Sequence, residues 1–159
     1  MCVKAELKRD YYDLANTIFT FVQKDFEGIV PAGKVDEDIY WKTKSFRDEL
    51  DRYLNRGQEQ EAEALAEKYL RFARSYYRQG MPWESRRTDR RSCRNTILNS
   101  LQLLANLTVF LAAVGEREGE EDIVKFTDQV QQRLQLEPSH ISKVQSVHSG
   151  SRVSVISQG

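Results

Sequence analysis

Cysteine is scarce in this sequence: Cys2 and Cys93 are the only two in 159 residues, far apart and in no metal spacing. A disulfide framework is not expected on that count, and a reducing compartment is the simple expectation. Histidine is equally scarce. His140 and His148 both lie near the C-terminus, so no Cys/His cluster suggests zinc. Excess charge is absent too, with 24 basic against 24 acidic residues. Net charge therefore argues neither for nor against nucleic acid, and only a local patch speaks to it. An apolar N-terminal run is missing: Lys4, Glu6, Lys8, Arg9 and Asp10 fall where a secretory signal would be.

Catalytic patterns are missing as well. The chain contains no Gly-x-Ser-x-Gly elbow, no Gly-rich phosphate loop and no metal motif. Acids such as Glu59, Glu61 and Glu63 fall on a polar helical face, which reads as a solvated surface rather than a paired-carboxylate site. No catalytic residue, metal or cofactor is expected.

The composition is 40% hydrophobic and 30% charged, ordinary for a globular domain with a core of its own. Its dominant period is helical. Leu7, Tyr11, Leu14, Ala15, Ile18, Val22 and Phe26 recur at three- and four-residue steps before Gly28 and the loop Pro31-Ala32-Gly33. A second stripe starts near Asp36, runs through Ile39, Phe46, Leu50, Tyr53 and Leu54, and stops at Gly57. A third, from about Gln58 to Gln79, carries Ala62, Leu65, Ala66, Tyr69, Phe72, Ala73 and Tyr76, with Gly80 at the expected C-cap.

Met81-Pro82-Trp83 reads as a break and a turn. Thr88 or Asp89 is placed to cap a fourth helix ending at Gly115. A polar loop, Glu116 to Gly119, leads to a fifth helix from about Glu120 to Gln135, with Ile123, Phe126, Val130 and Leu134 on its face. The expected fold is all-α, an antiparallel bundle of about five helices over residues 1–136. Residues 137–159 form a tail after Pro138, either disordered or lying back on the bundle. The run Val153-Ser154-Val155-Ile156 favours an extended segment.

From Asn95 to Gly115 no residue is charged, and a run of that length can span a bilayer. It nevertheless contains Asn95, Asn99, Ser100, Gln102, Asn106 and Thr108, and amphipathic helices flank it. We expect a central buried helix and no membrane. The sequon Asn106-Leu107-Thr108 would then be buried and unused.

The most unusual local feature is Pro82-Trp83 followed by Arg86, Arg87, Arg90, Arg91 and Arg94, with Asp89 the acid among them. Basic residues at a helix N-terminus oppose the helix dipole, so they do not serve helix stability. One reading is a solvated face with acid partners such as Asp89 or Glu84. The other is a phosphate-binding patch beside an aromatic platform, the pairing that grips single-stranded nucleic acid.

Several short motifs resemble those of methionyl-tRNA synthetases. Phe26-Glu27-Gly28-Ile29-Val30-Pro31 is similar to the Phe-x-Gly-x-Val-Pro turn that ends the first helix of the family's anticodon-binding domain. Tyr76 and then Pro82-Trp83 resemble the family's Tyr followed by a short loop and Pro-Trp. The uncharged helix 95–115 stands where the family has an apolar one. Gln132 to Leu136, Pro138 and the tail to Ser157 resemble the C-terminal end of eukaryotic and archaeal-type enzymes. The likeness is collinear over about residues 7–157.

The resemblance implies a helical module that reads the CAU anticodon loop of tRNA and docks on a catalytic domain. It implies that Trp83 stacks on an anticodon base. The family's base-reading Asn and Arg fall on Asp13 and Thr17, and another Asn falls on Arg74. Asp13 only accepts hydrogen bonds when ionised, and Thr17 is too short to reach as Arg does.

The candidate RNA-binding residues are therefore Trp83, Pro82, Thr17, Asp13, Arg86, Arg87, Arg90 and Arg91. The family is a methionine–tRNA ligase, but neither its His-Ile-Gly-His nor its Lys-Met-Ser-Lys-Ser signature occurs in this sequence. The chain is accordingly expected to be an excised domain or a stand-alone relative, in the cytoplasm or an organelle. Its expected partners are the tRNA anticodon loop and a synthetase catalytic domain or a larger complex. The alternative function is a synthetase-derived structural or interaction subunit of a ribonucleoprotein or synthetase complex.

Overall fold

A computed structural model describes residues 4–137 and 141–153. Cys2, Pro138, His140 and the run Ser154-Val155-Ile156 lie outside them. The described residues form α1 (Ala5–Asp25), α2 (Glu37–Asn55), α3 (Glu59–Gly80), α4 (Pro82–Thr88), α5 (Arg90–Glu118) and α6 (Glu121–Arg133). Five long helices make the bundle, as the periodicity predicts. The sixth, α4, replaces the expected turn at Pro82-Trp83. Pro82 occupies its first turn, where the missing N–H costs nothing and the fixed φ is already helical.

Local chemistry sets the ends. Asp36 accepts from the Asp38 backbone N–H at 2.9 Å and Asp89 from that of Ser92 at 3.1 Å, so each caps its helix as an N-cap acid does. Gly80 and Gly115 are not stops. Both lie inside helices, α3 running through Gly80 and α5 continuing three residues past Gly115 to Glu118. They are small because neighbours press on them. A Cβ on Gly80 would meet Thr96 Cγ2 at 2.4 Å, and one on Gly115 would meet Ile123 Cγ2 at 2.5 Å.

The core is built around α5. Every residue from Thr96 to Ala112 is buried, and 94% of the most apolar window of this helix is buried inside the bundle. α5 is long and apolar enough to span a membrane by composition, yet here the other helices cover it. Leu7, Tyr11, Leu14, Ala15, Ile18 and Val22 of α1 are buried as predicted, and Phe19 and Phe21 join them. On α3 the stripe is rotated: Leu70 and Tyr77 are buried, whereas Phe72 and Tyr76 are only partly so.

The polar residues of α5 form a line of side-chain amides, Asn95, Asn99, Gln102 and Asn106, at steps of four, three and four. Such steps share one helical face. Asn95 Oδ1 accepts from the Lys34 backbone N–H at 2.8 Å. Asn99 Oδ1 accepts from Asp36 N–H at 2.8 Å, and its amide donates to Lys34 O at 3.0 Å. One turn on, Gln102 pairs with both backbone groups of Val147 at 2.7 and 2.8 Å. Asn106 does the same with Gln145 at 2.8 and 3.1 Å.

The tail from 141 to 153 thus lies back on the bundle as an extended segment. It continues alongside Gly28 to Val30, where Val30 N–H donates to Ser151 O at 2.8 Å and Val153 N–H to Gly28 O at 2.7 Å. Pairing these main-chain groups avoids the cost of burying them unsatisfied.

One carboxyl in the fold works against stability. Burial, then the negative charges of Glu63 and Glu59, push Glu118 from its ordinary 4.5 up to about 7. The folded state therefore keeps a proton between pH 4.5 and 7 that the unfolded chain releases. Stability is expected to fall as pH rises through that window. Glu118→Gln should flatten the slope and raise the midpoint of denaturant unfolding at pH 8. A slope equal to the parent's would remove Glu118 from this role.

Candidate RNA-binding site

Met81 has φ 44° and turns the chain sharply from α3 into α4. Pro82 is buried, and its carbonyl accepts from Cys93 Sγ at 3.5 Å, anchoring α4 to α5. Burial raises the Cys93 thiol pKa, so the thiol serves as a neutral packing group. Pro82 thereby positions Trp83 and is not itself open to a ligand. The Trp83 ring leans on Tyr77 at 5.8 Å between centroids and is 40% exposed. Tyr77 is pushed up to about 12 by burial first, then by Cys93 and Asp25, and so stays neutral at working pH.

Beside the ring is a cavity of about 240 Å3 between α1, α3 and α4. It is lined by Asp10, Asp13, Leu14, Thr17, Arg74, Tyr77, Arg78 and Trp83. Three residues singled out in the sequence, Asp13, Thr17 and Trp83, meet there. Arg74 pairs with Asp10 at 3.2 Å. Arg78 is exposed at the rim. Arg74 stands at the family's Asn position noted in the sequence; Arg78 and Asp10 are the part the run at 86–94 obscured. The signal for Arg78 was the four-residue step from Arg74 to Arg78 on the polar face of α3.

The basic run itself divides. Arg86 pairs with the Asp25 carboxylate at 3.4 Å. Arg90 donates to the Asp25 carbonyl at 2.8 Å and stacks over Phe26 at 4.7 Å. Both clamp the C-terminal end of α1, where cations complement the helix dipole. Arg87 and Arg91 are exposed and form no hydrogen bond or ion pair among the described residues. None of the four lines the Trp83 cavity. The lining holds two aromatic rings, Trp83 and Tyr77, two guanidiniums, the hydroxyls of Thr17 and Tyr77, and two carboxylates. That set can stack a base, hold phosphate and exchange hydrogen bonds with a base edge.

No protein-family model matches the chain. It is 31% identical over 106 residues to methionine–tRNA ligase 1 of Alkaliphilus oremlandii, covering 67% of this chain and 20% of that one. It is 30% identical over 146 residues to methionine–tRNA ligase 1 of Bacillus cereus, covering 89% and 26%. The chain thus spans a fifth to a quarter of the length of these curated relatives. The fold matches the apo crystal structure of Mycobacterium tuberculosis methionyl-tRNA synthetase with a TM-score of 0.82, over 98% of this chain and 32% of that one, at 14% identity. The same enzyme with methionyl-adenylate gives 0.73 over 95% of this chain. The chain is a homologue of the methionyl-tRNA synthetases, matched to their C-terminal region.

Proposed function

We propose that this chain is a tRNA anticodon-binding module, with Trp83 as the stacking platform for a loop base. The observation that supports this most is the cavity beside Trp83, which combines a partly exposed indole with Arg74 and Arg78. The bases of an anticodon loop are already unstacked and can be taken one at a time by such a pocket. Arg78 supplies charge for the backbone, Thr17 a hydroxyl that donates or accepts, and Asp13 an acceptor for a base amino group. In a synthetase, such a module would hold the far end of the tRNA while a catalytic domain acts on the acceptor end.

The test is fluorescence of Trp83 in a Trp41→Phe background, titrated with an anticodon stem–loop at fixed moderate salt. Quenching by the CAU loop is expected. Trp83→Ala should weaken binding roughly 5- to 150-fold, the equivalent of one stacked base at about 1–3 kcal/mol. A scrambled hairpin binding equally well would remove anticodon recognition. Binding unaffected by Trp83→Ala would remove the platform.

A second reading, a structural subunit of a larger assembly, is favoured by the exposed pair Tyr40 and Trp41, 44% and 59% exposed on α2. It predicts a stable complex in native lysate that Trp41→Ala disrupts and anticodon RNA does not. Recovery of the bare monomer alone would count against it.

A further inference from the structure

A second cavity, about 460 Å3 in volume, opens where the end of α1, the end of α6 and the returning tail meet. Its wall is unusual in composition. Gln23 comes from α1, Gln129 and Gln132 from α6, and Gln135 from just beyond α6, with Arg133 and Arg152 beside them. The carboxylate in the lining is Glu27. Among the described residues, two of the three non-glycine residues with positive φ stand in this wall, Glu27 at 55° and Gln135 at 57°. The third, Met81, adjoins Trp83. Glu27 and Gln135 each follow a helix C-cap, where a left-handed residue ends the helix; Gln135 N–H donates to Gln132 O at 3.1 Å and Leu136 N–H to Gln131 O at 2.9 Å, which fixes this part of the wall.

We infer that this cavity is a second nucleotide subsite, taking one base and its phosphate from the same single-stranded RNA that stacks on Trp83. This rests on the RNA-binding reading given above. A glutamine amide offers a donor and an acceptor side by side, the pair a base edge requires. A guanidinium donates two parallel bonds to the oxygens of a phosphate. The exposed Arg152 is placed to donate to an anion at this wall, and the volume lies within the roughly 300–1,000 Å3 of small-molecule sites, far more than an inorganic ion fills.

The two cavities share α1. Thr17 in the first and Gln23 in the second are separated by about 9 Å along the helix axis. Thr20 stands between them along the helix, and the exposed Lys24 follows Gln23. A few nucleotides of extended backbone cover that path.

Gln129 and Gln132 are exposed, so Gln129→Ala/Gln132→Ala spares the fold. Calorimetric titration of this variant with the anticodon stem–loop should show about tenfold weaker binding, the loss of one bidentate base contact. Trp83 quenching at saturation should be unchanged. Stem–loops carrying 4-thiouridine at single loop positions should crosslink to the peptide containing 129–135 from one position and to the Trp83 peptide from another. Unchanged affinity, with crosslinks at the Trp83 peptide alone, overturns the second subsite and leaves the anticodon-binding proposal standing. A parent protein that takes up no stem–loop at all overturns both.

Discussion

Leu104→Ala is expected to destabilise the protein by about 2–5 kcal/mol in urea or guanidinium melts. Leu104 sits midway along α5 and is fully buried. Its neighbours one turn away, Leu101, Leu107 and Thr108, are also inaccessible. Truncation removes the transfer free energy of the lost carbons and leaves a cavity that packed helices close only in part. Relaxation is restricted because Tyr11 is fixed nearby. Its hydroxyl is 2.7 Å from Thr108 Oγ1, which in turn donates to the Leu104 carbonyl at 2.7 Å. Burial raises the Tyr11 pKa, so that hydroxyl stays neutral. A loss below about 1 kcal/mol would mean the site collapses freely, contrary to the interior packing described.

The second large effect is expected from Gln102→Ala/Asn106→Ala. Four hydrogen bonds to the main chain of Gln145 and Val147 disappear together. At about 0.5–1.5 kcal/mol each the ceiling is about 2–6 kcal/mol, and rehydration of a released segment lowers it. The damage should be local. Trypsin should cut after Lys143 and Arg152 many times faster than in the parent, while the bundle core keeps its melting transition. Cleavage at the parental rate would mean that the pairing with Gly28 and Val30 holds the tail unaided.

Much of this fold is written in the sequence. Asp36 and Asp89 cap helices because a carboxylate at that step has unsatisfied N–H groups to accept from, a local rule. The stripes of α1 and α2 follow from period alone. What escaped was tertiary. Gly115 looks like a stop, yet it marks the place where α6 crosses close enough to exclude a Cβ. α4 is seven residues long, too short for periodicity to reveal. On α3 either Tyr76 or Tyr77 satisfies a helical stripe, and only the position of Cys93 and Trp83 decides for Tyr77.

The site is split in the same way. Trp83, Asp13 and Thr17 were legible through resemblance, and they do meet in one cavity. Arg74 was legible only as the residue at a family Asn position, and Arg78 was not legible at all. A cluster such as Arg86 to Arg94 announces positive charge and says nothing of direction. Asp25 and Phe26 claim two of its members, while Arg74 and Arg78 line the cavity beside Trp83 from another helix.

The amide line on α5 also sets an order of events. Asn95 and Asn99 hold a loop 61 to 65 residues upstream, and Gln102 and Asn106 hold a segment 39 to 45 residues downstream. On a ribosome the first pair can engage as soon as α5 emerges. The second pair must wait for the chain beyond residue 147. Closing loops of that length carries an entropic cost that grows only with the logarithm of the loop, so the delay is one of synthesis more than of search. Until the residues around 145–147 have been made, Gln102 and Asn106 lack their main-chain partners, so the segment that seals the most apolar helix is synthesised well after the helix itself.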